Sequence, residues 1–310
     1  MWTLKLVPAE TKIDFIRLHI ASFIVSASLV IASLGLFFTQ GLNFGIDFKG
    51  GTLIEIGTNG PADIADLRDI VGSLDLGEVQ IQEFGSPEDV LIRVGEKADA
   101  TDNAENLSAV DQIRNALPQD VTFRRVEVVG PQISGELVRA GFLAVTVAIG
   151  LMLFYIWLRF EWQFSVGAVL ALIHDIILTI GVFCLIQLEF NLSIIAAILT
   201  IVGYSMNDTV VIYDRIRENL GKFHKLDISN IANLSINETL ARTIITSVTT
   251  LLALFSIFIL GGEILRGFSF AMILGVLIGT YSSIFVASPI LKYFKVSYKT
   301  IEKEEEKIVP

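Results

Sequence analysis

The sequence predicts a multi-pass α-helical membrane protein of six transmembrane helices. One extracytoplasmic α+β domain, ferredoxin-like in its β-α-β-β-α-β order, is expected between helices one and two. Three observations carry this. The 310 residues are 53% hydrophobic, too apolar for an ordinary soluble chain. The apolar residues gather into six runs of about 20, the length that crosses a bilayer as a helix. Between the first two runs lies a long polar segment that alternates strand and helix signals.

An N-terminal arm, residues 1–17, carries Lys5, Lys12 and Arg17. The run at 18–38 has no Ala-x-Ala-like cleavage site and reads as a retained helix rather than a signal peptide. Residues 39–138 form the aqueous domain, with strands expected at 52–57, 78–84, 89–95 and 121–129 and helices at 62–73 and 102–117. Asn59-Gly60-Pro61, Gly85-Ser86-Pro87 and Leu117-Pro118 supply turns between them. This order matches the split β-α-β motif, which has no inherent chemistry. Between Gln40 and Val138 stand eighteen acids against seven bases, so this segment carries −11 and the rest of the chain +1. Such an acidic balance argues against a nucleic-acid partner.

Five further runs, near 139–158, 164–187, 191–213, 243–260 and 268–291, complete the bundle, and residues 292–310 form a charged tail. Lysines and arginines concentrate in the arm, in a loop expected at 214–242 and in the tail, whereas the short loops 188–190 and 261–267 hold only Arg266. The positive-inside bias then puts both termini in the cytoplasm. The long 39–138 segment is exempt from that bias and is expected outside. Cys184 is the only cysteine, so no disulfide forms within the chain. His19, His174 and His224 lack metal-ligand spacing, and no cofactor is expected beyond protons as coupling ion.

The fourth run places an Asn-Asp pair where a carboxylate costs roughly 2.5–3.5 kcal/mol on insertion scales. Thr200, Tyr204, Asn207, Asp208 and Arg215 fall on one helical stripe, which is expected to face the bundle interior; the other face is Ile, Val and Met. Asp214 sits near enough to the run's end to reach the headgroups, whereas Asp208 is about two turns deeper. Arg242, Thr246, Thr249 and Thr250 form a second stripe on a fifth helix that the sequence opens at Arg242. The candidate proton-coupling set is therefore Asp208, Arg242 and Asn207, although snorkelling to the membrane surface also accounts for Arg242. His174 and Asp175, Tyr204 and Thr246 are candidate supporting residues. His174-Asp175 reads equally well as a packing pair or a titrating one.

Gly45 and Gly50 have the spacing of a phosphate loop, but no Lys-Ser/Thr follows. Glycines able to take positive φ in a turn after the first helix are the better reading. Ala271, Gly275, Gly279, Ser282 or Ser283, and Ala287 make a small-residue stripe suited to close helix packing. No hydrolase, kinase or metalloprotease motif is present, and no covalent enzyme chemistry is expected.

Phe44-Gly-Ile-Asp-Phe-Lys-Gly-Gly51, Val129-Gly-Pro-Gln-Ile-Ser-Gly-Glu-Leu137, His174-Asp175, the stretch from Ser205 to Asn219 and Arg242-Thr243 together resemble the SecD/SecF family of bacterial protein export. That family lies in the resistance–nodulation–division superfamily, and the resemblance runs from about residue 15 to 295. It implies a six-helix half-transporter of the bacterial inner membrane, paired by pseudo-symmetry with SecD. It implies further partners in the SecYEG channel, the small YajC protein and an unfolded preprotein, with export assisted by the proton motive force. The family's essential intramembrane carboxylate falls on Asp208 and its partnering arginine on Arg242. Met206 stands where family sequences often have Ile, a neutral apolar exchange. The rival reading is a half-transporter of the same superfamily that exports lipids or small molecules. Such efflux members usually carry two large external domains on one twelve-helix chain.

Overall fold

The computed structural model describes residues 11–74, 76–95, 103–118 and 120–298. The beginning of the expected arm and most of the expected tail lie outside the described residues. A 3-10 turn, Ile16–Leu18, opens α1 (His19–Thr39). The buried residues of α1 are His19, Ser22, Ser26 and Ser33, while its Ile, Leu and Phe side chains point outward. In water that arrangement is inside out; in hydrocarbon it is stable, because lipid is as apolar as a core and small residues allow close backbone approach.

After α1 come β1 (Asn43–Phe44), the single turn α2 (Ile46–Lys49), β2 (Gly51–Gly57), α3 (Ile64–Gly72), β3 (Val79–Phe84), β4 (Ser86–Val94), α4 (Asn103–Ala116) and β5 (Thr122–Val129). From β2 onward the order is β-α-β-β-α-β. The four strands pair antiparallel in the order β3-β4-β2-β5. Asp63 caps α3 by accepting from the amides of Ala65 and Asp66. Alternation along the strands sends Ile54, Ile56, Val90, Ile92 and Val94 to one face, where Leu67 and Val71 of α3 and Val110 and Ile113 of α4 close a separate core. Gly50 and Gly51 turn the chain into β2 with φ of 74° and 112°. At Gly51 a Cβ would also lie 2.3 Å from the Val94 carbonyl oxygen, so the expected glycine turn has both a conformational and a steric reason.

The rest is helical: α5 (Pro131–Arg159), α6 (Trp162–Ile186), a short β6 (Glu189–Phe190), α7 (Leu192–Lys222), α8 (Ile228–Leu260) and α9 (Gly262–Ser282). A π-helical turn, Ser283–Ala287, leads from α9 into α10 (Ser288–Ile290). Among the described residues six helices, counting α1, are long and apolar enough to cross a membrane. Their ends differ from the apolar runs. Pro131 opens α5 well before residue 139, with the proline at a position where its missing N–H costs nothing.

The expected loop at 214–242 is overturned: α7 continues to Lys222, α8 starts at Ile228, and Arg242 lies in the middle of a helix instead of opening it. Hydropathy falls where a helix leaves hydrocarbon, but helical hydrogen bonding does not stop there. The polar turns are held by Arg215 on Glu218 and by Lys222 on Glu218, and across the helices by Arg215 on Glu238 at 2.7 Å.

The α+β domain is joined to the bundle at the start of α7. Strands β1 and β6 pair in parallel, and Arg93 of β4 reaches Glu189 at 2.6 Å. The Leu192 amide, one of the orphan donors of the α7 N-terminus, donates to Asp47 at 2.9 Å. Gly45 allows this closeness, since a Cβ there would stand 2.4 Å from Glu189 Oε1.

Candidate functional site

The site is built on α6, α7, α8 and α9. The α7–α9 seam is set by small residues: a Cβ on Gly275 would meet Ile201 at 2.2 Å, and one on Gly279 would meet Ser205 at 2.9 Å. Packing α9 this closely draws in the face of α7 that holds Ile201, Val202, Ser205, Met206, Thr209, Ile212 and Tyr213, all buried. Tyr213 donates its hydroxyl to the Ala287 carbonyl at 2.9 Å, in the π-helical turn.

The expected orientation of the polar stripe is therefore corrected. Thr200 and Asn207 are exposed, Tyr204 and Arg215 are half-buried, and Asp208 alone of the five is buried, at 3% exposure. The stripe lies along an open flank of the bundle instead of its interior. On α8, Arg242 and Thr249 are exposed while Thr246 is half-buried. The threonines satisfy their hydroxyls on their own helices: Thr200 donates to Ala196, Thr246 to Arg242 and Thr249 to Ile245. The charge of Arg242 acts on Asp208 from the neighbouring helix, and the Asn207 side chain acts on it from the same helix. Three buried oxygens on these two helices have no hydrogen-bond partner among the described residues: Tyr204 Oη, Asp208 Oδ2 and Thr243 Oγ1. An unmet buried polar group costs about 1–3 kcal/mol. What such a flank suits chemically is a carboxyl that exchanges protons beside a fixed cation.

His174 and Asp175 are brought together with residues that the sequence reading did not connect to them. Asp175 is fully buried; its Oδ1 accepts from His174 Nδ1 at 2.9 Å, and its Oδ2 from Ser205 at 2.5 Å and Ser282 at 2.8 Å. The cluster ties α6, α7 and α9 together. Thr209 and Ser283 add a second link between α7 and the π-helical turn, at 2.8 Å. Ser205 and Ser282 both stood inside quoted motifs, but a single helix carries no sign of a donor on another.

At the end of the bundle away from the domain, Asp214 pairs with Arg159 at 3.1 Å. Nearby Glu161, 2% exposed, pairs with Arg217 at 3.1 Å, a buried carboxylate that the sequence reading passed over. Among the described residues no cluster of His, Cys, Asp and Glu is arranged to hold a metal ion.

Residues 109–297 match the family described as protein export membrane protein SecD/SecF, C-terminal, and residues 35–62 match the SecD/SecF GG motif. The chain is 46% identical over 301 residues to the protein translocase subunit SecF of Cereibacter sphaeroides, covering 94% of this chain and 93% of the relative. It is 45% identical over 296 residues to that of Rickettsia bellii, covering 95% and 97%. A crystal structure of SecDF, a translocon-associated membrane protein from Thermus, superposes with a TM-score of 0.84 at 34% identity, over 94% of this chain. A second SecDF structure, in a super-membrane-facing form, gives 0.68 at 33% identity over 99% of this chain. This chain spans only 40% and 41% of those two longer chains. By the extent of the match and by these identities, the chain belongs to the SecD/SecF family of protein export membrane proteins.

Proposed function

We propose that this protein is a SecF-like subunit of the bacterial protein translocase, a transporter component and not an enzyme, which uses the proton motive force to assist export across the inner membrane. The carrying observation is the flank of α7 and α8 that leaves Asn207 and Arg242 exposed beside the buried Asp208, on two helices apolar enough to cross a membrane. Polar groups facing lipid are costly, so such a flank calls for a protein partner. A second, SecD-like six-helix half fits, and the greater length of the SecDF chains supports that assignment. The SecYEG channel, YajC and the emerging preprotein follow from the same reading. The β-α-β-β-α-β unit is then a ferredoxin-like domain on the outer side, and the concentration of Lys and Arg supports termini in the cytoplasm.

The coupling step is proton binding and release at Asp208, governed by the approach of Arg242. Hydrocarbon favours the neutral acid, and a nearby guanidinium favours the carboxylate. Helix movement that separates the two promotes uptake, and return promotes release. One charge crossing 100 mV supplies about 2.3 kcal/mol. Full inversion of a two-state equilibrium takes about 5.5 kcal/mol, so one proton per stroke is insufficient at that potential without a pH gradient.

Asp208→Asn keeps shape and hydrogen bonding while removing proton exchange. The expected outcome is normal membrane abundance with loss of the export that the proton motive force stimulates. Wild-type export at normal abundance overturns the assignment. The efflux reading is weaker, because relatives that match more than nine-tenths of this chain are named as translocase subunits.

A further inference from the structure

We propose that His174 is a second proton-binding site of the membrane bundle, taking up its proton on Nε2 with Asp175 as the permanent counter-charge. Three features of the geometry carry this. Asp175 is bonded to three groups that can all donate to it, His174 Nδ1, Ser205 Oγ and Ser282 Oγ, an arrangement that suits a carboxylate. With Asp175 as the carboxylate, Nδ1 must carry the hydrogen of this bond, so the lone pair of the neutral imidazole is on Nε2. That nitrogen is buried, on a side chain only 6% exposed, and has no hydrogen-bond partner among the described residues.

A lone carboxylate among packed helices is costly, whereas a carboxylate and imidazolium in contact form a neutral pair. Uptake of one proton from hydronium breaks one O–H bond, forms one N–H bond at Nε2, leaves a water molecule and converts the pair from net −1 to neutral. Release reverses it. The ionisable groups of the surrounding helices include Tyr204, Asp208 and Tyr213 on α7, Tyr281 on α9 and His19 on α1, and the remaining charged residues of α5, α7 and α9 stand toward the helix ends. Tyr281 stacks on the His174 ring with centroids 6.2 Å apart, and its hydroxyl is engaged with Ser26 at 3.1 Å and the Ser22 carbonyl at 3.2 Å. His19 donates from Nδ1 to the Ile16 carbonyl and lies toward the arm. Asp208, 3% exposed, is the carboxyl of α7 closest along the chain to Ser205. It stands one helical turn from Ser205, which bonds Asp175, so α7 carries both sites.

This inference deepens the proton-coupled reading, and its test separates the two. The full-length protein, labelled with ¹⁵N-histidine and held in lipid nanodiscs, is titrated by NMR from about pH 4 to 10, a range that covers the shifts burial and an adjacent carboxylate impose on a histidine. The three histidine signals are assigned with His174→Gln, His19→Gln and His224→Gln. The expected result is that Nδ1 of His174 stays protonated throughout while Nε2 passes from protonated to bare as pH rises. Asp208→Asn should keep this titration even where it abolishes export, which distinguishes failure of this site from failure of the coupling assignment. Asp175→Asn, if it folds, should leave Nε2 bare over a wider range. An Nε2 that never changes state in the wild-type protein overturns the proposal, as does an Nδ1 that is bare at neutral pH. A role confined to helix packing leaves both nitrogens constant.

Discussion

Ser205 and Asp208 lie three residues apart on α7 and face different surroundings: one is locked into the Asp175 cluster, the other borders the open flank. Removing the Ser205 hydroxyl deletes one of two donors to a buried carboxylate oxygen. Ser205→Ala should cost about 1.5–3 kcal/mol of stability, the range for a hydrogen bond to a charged group, and lower the unfolding temperature of the purified protein. Arg242→Ala acts differently. It leaves Asp208 without its nearby cation while disturbing little packing, because Arg242 is exposed. Export should fall as in Asp208→Asn, measured at matched membrane abundance. At this level the sequence was informative about which residues are polar and uninformative about which side they face. Asp208 and Arg242 are visible because charge in an apolar run is costly wherever it points. The inward orientation expected for Thr200 and Asn207 failed, since lipid and protein interior are both apolar and a stripe alone does not distinguish them.

The α7–α9 seam makes the corresponding prediction for whole helices. Gly275→Leu puts a branched side chain where a Cβ already meets Ile201 at 2.2 Å, and overpacking of this kind typically costs about 1–3 kcal/mol or more. The folded yield in mild detergent should drop sharply. Gly135→Ala in α5, where nothing lies within 4 Å of an added Cβ, should be neutral or gain up to about 1 kcal/mol from helix propensity. The small-residue stripe of α9 was legible because glycine and alanine at helical spacing have few other uses inside a membrane. The lengths of α7 and α8 were not legible, because their outer turns are stabilised by Arg215, Glu218, Lys222 and Glu238, pairs that look like a solvated loop when only hydropathy is read.

Taken whole, the described residues form one core under the four-stranded sheet, two among the helices and a small one of Ile46, Leu53 and Leu91, and the core under the sheet is closed by its own apolar residues. Residues 42–130 alone should therefore melt cooperatively when followed by circular dichroism; a coil spectrum would show that the sheet depends on the bundle. The order of strands and helices in this unit was readable from alternation and turn residues, whereas its attachment was not, because Asp47, Arg93 and Glu189 are far apart in sequence. That attachment has a mechanical consequence. With Asp47 on the first amide of α7 and Arg93 on the residue pair just before it, the domain is fixed to the end of a 31-residue rod about 46 Å long. Pivoting that rod by about 10° at its far end sweeps the near end through about 8 Å. If a change of charge at Asp208, partway along the rod, tilts it as the proposed coupling requires, the domain is carried through a displacement of that size.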